Sequence, residues 1–117
     1  MIDRRTLILA SAATVALAHA VRADAPLRAF PGALGWGGET PGGRGGTVLK
    51  VTTLAGTGPG SLRAALEAEG PRIVVFEVGG VIDLDGHDIR IANPFVTIAG
   101  QTAAEPGITL IRGGVGV

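Results

Sequence analysis

From residue 47 onward, short β-branched runs alternate with glycine and proline. Residues 47–54 (TVLKVTTL) set Leu49 and Val51 on one side and Lys50 on the other, the two-residue period of a half-buried strand. The turn Gly56-Thr57-Gly58-Pro59-Gly60 ends this run. Ser61 then offers an N-cap hydroxyl, and Leu62, Ala65 and Leu66 recur at i, i+3 and i+4, which predicts a short helix over residues 61–69 that Gly70-Pro71 stops. Five strands follow. Residues 72–78 alternate with Val74, Phe76 and Val78 on one side and Glu77 on the other. Residues 81–84, 89–91, 95–98 and 108–111 complete the series, with Arg90 facing outward. No helical crossover separates them, so the pattern admits an antiparallel meander or a coil in which each strand stacks on one from the next turn. No strict repeat is visible, although the offset from Val74 to Val96 suits one turn of such a coil.

The stretch before residue 47 reads differently. Residues 30–46 are so rich in glycine that neither helix nor strand interior is sustainable there, since each glycine costs about 0.5–1 kcal/mol relative to alanine. A loop is predicted, with Phe30 and Trp36 as its apolar pins, preceded by a polar leader over residues 21–27. Residues 1–20 have the form of a secretory signal: Arg4 and Arg5, an apolar stretch TLILASAATVALA, and a small-x-small site at Ala18-His19-Ala20. The stretch is shorter than the roughly 20 residues of a membrane span. The paired arginines also admit twin-arginine export, with Asp3 standing where that signal has Ser or Thr. The predicted organisation is therefore a signal over 1–20, a leader and glycine-rich loop over 21–46, and a folded region over 47–117.

Composition narrows the class further. The chain has ten basic and ten acidic residues, and loss of Asp3, Arg4 and Arg5 leaves one more acid than base, so no basic field exists for nucleic acid. There is no cysteine, and an exported protein of this kind must be stable without disulfides. Four aromatic residues (Phe30, Trp36, Phe76 and Phe95) among many Val, Ile, Leu and Ala favour a layered aliphatic core.

Several groups imitate functional sites. A strand, the loop GTGPGS and a helix from Ser61, with Glu77 beyond, look like a dinucleotide fingerprint. Gly56, Gly58 and Gly60 are one residue short of GxGxxG, however, and Pro59 removes a donor that phosphate would need. Asp83, Asp85 and Asp88 around His87 place oxygen ligands before a glycine, as calcium favours. Asp83 and Asp85 are equally the outward positions of a strand whose inward residues are Ile82 and Leu84, and a solvated turn is the preferred reading. Arg44 between glycine pairs is suited either to an acidic sugar or, more commonly, to tying down its loop. Ser61 lacks a nucleophile elbow and serves as a cap.

Five phrases in order, FPGALGWGG, GGRGG, GPGSLRAAL, RIVVFEVGGVIDL and NPFVTIAGQT, resemble the opening of bacterial pectate lyases. The resemblance covers residues 30–117. It implies an all-β fold, the first rungs of a right-handed single-stranded parallel β-helix, with the helix after Ser61 capping its N-terminal end. It also implies a secreted or periplasmic, monomeric enzyme that cleaves pectate by β-elimination, with Ca²⁺ as cofactor and an arginine as base. The family's calcium carboxylates and catalytic arginine match no residue here, so no catalytic, metal or substrate-binding role is assigned, and neither Asp83 nor Arg112 is named for one. The expectation is an N-terminal portion, truncated at its C-terminus and inactive alone. The competing class is a non-enzymatic β-helix segment of a cell-surface or adhesin-like protein, because likeness of fold alone does not carry activity.

Overall fold

The computed structural model describes residues 26–117; the predicted signal, and all but the end of the leader, lie outside them. Two compact units divide the chain after Glu39.

In the described part of the first unit, residues 26–39, the backbone forms turns and bends joined by irregular stretches, with neither helix nor strand. Ala29 N–H donates to Gly38 O at 2.9 Å, Ala33 N–H to Phe30 O at 3.0 Å, and Gly38 N–H to Gly35 O at 3.0 Å. Ala33 and Gly38 are the buried residues of this knot, with the Arg28 guanidinium on the Ala33 carbonyl. The expected pins behave otherwise: Phe30 is 64% and Trp36 fully exposed. Backbone turns and a small alanine close the loop, and the aromatic side chains are left at its surface.

The second unit, residues 40–117, is built from seven described strands and one short helix, an all-β arrangement. The elements are β1 (Thr47–Val51), α1 (Leu62–Glu67), β2 (Arg72–Phe76), β3 (Gly80–Asp83), β4 (Ile89–Arg90), β5 (Val96–Ile98), a 3₁₀ turn (Gly100–Thr102), β6 (Ile108–Ile111) and β7 (Val115–Gly116). Every pairing is parallel. One sheet has the order β1-β2-β5, a second pairs β3 with β6, and a third pairs β4 with β7. The chain thus visits the three sheets in rotation, which rules out the antiparallel meander. Thr47 pairs with Arg72, Arg72 with Val96, Gly80 with Ile108, and Ile89 with Val115. Val74 accordingly lies beside Ile98, two residues beyond the Val96 offset that the sequence offered.

Inward positions supply the core. Val51, Val74, Phe76, Ile82, Leu84 and Ile89 pack with Leu62, Ala65 and Leu66 of α1 in one buried cluster. These are the helix residues and strand faces anticipated from the alternation, and Lys50 and Glu77 lie outside it as an exposed ion pair at 3.1 Å. At the entry, the glycines of GGRGG let the loop lie against the start of β2. A Cβ on Gly43 would run into the Arg72 carbonyl, and one on Gly46 into that of Pro71.

A helix of one and a half turns has little stability by itself. Here Ser61 Oγ accepts from Ala64 N–H at 3.2 Å and donates to Gly58 O at 2.6 Å, so the residue is a cap at both levels. Arg63 donates to Gly56 O, Asp88 O and His87 O, tying the helix to the turn between β3 and β4. Arg72, 1% exposed, donates to Ala65 O at 3.0 Å, to Leu66 O, and to Gly70 O at 3.0 Å. Its guanidinium therefore satisfies carbonyls at the helix C-terminus that have no partner within so short a helix.

Candidate functional site

The acidic turn after β3 is the densest group of titratable side chains among the described residues. Strand alternation puts Ile82 and Leu84 inside and turns Asp83 and Asp85 outward, as the sequence anticipated. The structure adds a partner that the sequence reading left without a role. Arg112, one circuit later at the end of β6, grips Asp83 with both arms: Nε to Oδ1 at 2.8 Å and Nη2 to Oδ2 at 2.7 Å. Its Nη2 also lies 3.0 Å from Asp85 Oδ1.

Backbone geometry makes this contact possible. Asp85 and Arg112 both have φ of 52°, in the left-handed region, and Gly86 N–H donates to Arg112 O at 2.7 Å. The two corners are therefore stacked, one circuit over the next. Asp85 N–H donates to Asp83 Oδ1 at 2.9 Å, and Asp88 Oδ1 accepts from Gly114 N–H at 2.8 Å. The Arg112 side chain, helped by the Asp85 N–H, holds the Asp83 carboxyl below its ordinary pKa, and Asp83 in turn raises that of Arg112.

Chemically this is a closed arrangement. Asp83 is neutralised by a guanidinium, and Asp88 accepts a backbone N–H. No group of three or more His, Cys, Asp or Glu among the described residues is placed to hold a metal ion. The calcium implied by the family resemblance does not fit this turn. His87 is exposed, and its main chain is occupied by bonds to Leu84 O and from Arg63.

The other singled-out residues fall into structural positions. Gly56, Gly58 and Gly60 form the turn ahead of α1, and Gly60 O accepts from Thr52 N–H at 2.9 Å. Glu77 pairs with Lys50. Arg44 is an exposed residue of the entry loop, with its N–H on Pro41 O at 3.1 Å. A cleft of about 490 Å³ is lined by Pro41, Ile91, Asn93, Pro94, Phe95 and neighbouring residues, with no ionisable side chain among them. Among the described residues, no helix is long and apolar enough to cross a membrane.

Two residues escaped the sequence reading. Arg72 shares the inward phase of Val74 and Phe76, so the alternation carried a signal for it. Arg112 had no such signal, because its partners are about a full circuit away.

Comparison with known proteins places the chain. No family profile matches it. It is 49% identical over 100 residues to the probable pectate lyase C of Emericella nidulans, covering 86% of this chain and 23% of that protein. The probable pectate lyase C of Aspergillus terreus is 48% identical over 100 residues, with 86% and 22% covered. That of Aspergillus oryzae is 50% identical over 88 residues, with 75% and 20% covered. The chain thus spans under a quarter of the length of these relatives. Near-half identity across most of its residues shows that the chain belongs to the pectate lyase family.

Proposed function

We propose that residues 40–117 form the cap and first turns of a right-handed parallel β-helix, and that the protein is a secreted enzyme cleaving pectate by calcium-assisted β-elimination. The observation that carries this reading is the coincidence of two features in one chain. A chain with near-half identity to probable pectate lyases over most of its residues folds into three parallel ladders visited in rotation, with a helix packed over one side. On this reading residues 1–20 are the secretory signal, and the mature chain starts near Val21.

The chemistry proposed for the whole enzyme takes a proton from C5 of a uronate and expels the glycosidic oxygen at C4, consuming no water. Calcium would supply charge stabilisation at the adjacent carboxylate. On this reading the ligand set and the base come from other parts of the enzyme, and Asp83 and Arg112, which neutralise each other, have a structural part. Their part is to close one end of the coil and to start its register. The complete enzyme is proposed to act as a monomer on an acidic plant polysaccharide.

The test follows unsaturated uronides by absorbance with polygalacturonate and calcium. The 117-residue chain should give no rise, whereas a fusion continuing it with the rest of a relative's sequence should give one. Clear turnover by the 117-residue chain would overturn the assignment of the chemistry to residues outside it. An inactive but folded fusion would count against the lyase reading.

A further inference from the structure

We propose that this chain crosses the membrane already folded, carried by a translocase that reads the paired guanidinium groups of Arg4 and Arg5; this rests on the secretory reading of residues 1–20 above. The two arginines are adjacent and stand directly before Thr6-Leu7-Ile8-Leu9, the order of a twin-arginine signal. Asp3 departs from the usual Ser or Thr and leaves the pair itself intact. A channel that threads unfolded chains asks for positive charge ahead of the apolar run, not for two arginines in particular.

The rest of the segment suits such a channel poorly. Of the thirteen residues 6–18, only Leu7, Ile8, Leu9, Val15 and Leu17 are large and aliphatic, and the others are Ala, Ser or Thr. Insertion from a threading channel is driven by Leu, Ile and Val, to which small and hydroxyl residues add little. Basic charge also stands on both flanks of the run, since Arg22 and Arg28 follow it as Arg4 and Arg5 precede it. The asymmetry of Lys and Arg that orients a threaded signal is thereby reduced, and Asp24 restores little of it.

The fold gives an independent reason for folding first. Strand partners lie far apart in the chain, from Arg72 with Val96, 24 positions on, to Gly80 with Ile108, 28 positions on. Parallel pairing over such separations forms slowly and leaves strand edges unpaired in the meantime. A chain threaded out unfolded would spend that interval beyond the cytoplasmic chaperones. Nothing in the described fold waits for the outer compartment. The sequence has no cysteine, so no disulfide has to form there. Every buried side-chain nitrogen or oxygen among the described residues already has its partner within the protein, Arg72 and Ser61 included.

The experiment expresses the full 117-residue chain in a bacterial host and in the same host lacking its twin-arginine translocase, and follows the cleaved form outside the cytoplasm by immunoblot. Export is expected in the first host and its loss in the second. Arg4→Lys with Arg5→Lys keeps the charge but not the guanidinium pair, and should abolish export in the first host. Leu66→Asp, which puts a carboxylate into the apolar cluster, should also be retained inside once protease sensitivity shows it unfolded. Export that persists without the translocase, in the lysine pair or in the unfolded variant overturns the proposal and leaves the secretory signal standing. Where the unmodified chain stays inside both hosts, residues 1–25 ahead of a reporter that fluoresces only when folded in the cytoplasm decide the matter. Fluorescence outside that needs the translocase supports the proposal. Export of the reporter without the translocase, fluorescent or dark, overturns it alone, and no export in either host overturns the secretory reading with it.

Discussion

Arg72 is a cation shielded from water whose side-chain hydrogen bonds go to main-chain oxygens: those of Ala65, Leu66, Gly70, Asn93 and Pro94. It compensates its burial by serving carbonyls from the helix end and from the turn before β5 together. Arg72→Met keeps much of the volume but leaves several buried acceptors without donors. We expect a loss of about 3 kcal/mol or more in urea unfolding, the scale for stranding more than one such group. An effect below about 1 kcal/mol would mean that water replaces the guanidinium. Asp83 sits at the other extreme, exposed and paired. Its carboxyl is held below its ordinary pKa by Arg112. The stabilisation is therefore present above the unfolded value, about 4, and disappears as pH falls through the lower folded value. Asp83→Asn should lower the thermal midpoint slightly at neutral pH, and the two proteins should converge in strong acid; a constant gap across that range would show that the pair does not act through charge.

At the scale of elements, α1 shows how a very short helix is sustained. Its stripe of Leu62, Ala65 and Leu66 was legible in the sequence because helical spacing is local. So was Ser61, through its place before that stripe. Ser61→Ala removes the acceptor for Ala64 N–H and the donor to Gly58 O in a residue 1% exposed. About 1–2 kcal/mol of destabilisation should follow, toward the upper part of the range for lost caps, and hydrogen exchange should quicken first at residues 62–67. Uniform quickening across β2 and β3 would instead make the cap part of the global unfolding step. Strand β7 was not legible. Val115-Gly116 is too short for any period, and it is a strand because Ile89-Arg90 lies alongside. The pins assigned to Phe30 and Trp36 failed for a related reason. Aromatic character records a capacity for burial, while burial depends on what the fold brings near.

Across residues 40–117, one apolar cluster joins α1 to four strands of the first two circuits. Such a core should melt as a unit. Leu66→Ala, at a fully buried position, should cost about 2–5 kcal/mol. Helix and sheet signals should then be lost in the same transition; separate transitions would show that the helix is an appendage. Stacking also explains the turn of Asp83, Asp85 and Arg112. Parallel circuits bring the same corner of the chain over itself, so an arginine far along the sequence closes on carboxylates that looked like calcium ligands. Alternation by itself revealed strand positions, inward faces, the helix and its cap, and five ordered phrases revealed the family, because each depends on spacing within a few residues or on matching residue types. Parallel pairing, its register, the burial of Arg72 and the neutralisation of Asp83 were decided only in three dimensions. The pairings and the Asp83–Arg112 contact join residues more than about twenty positions apart, and the Arg72 guanidinium reaches Asn93 and Pro94 as well as the nearby helix end; nothing local in the chain records which circuit will lie beside which.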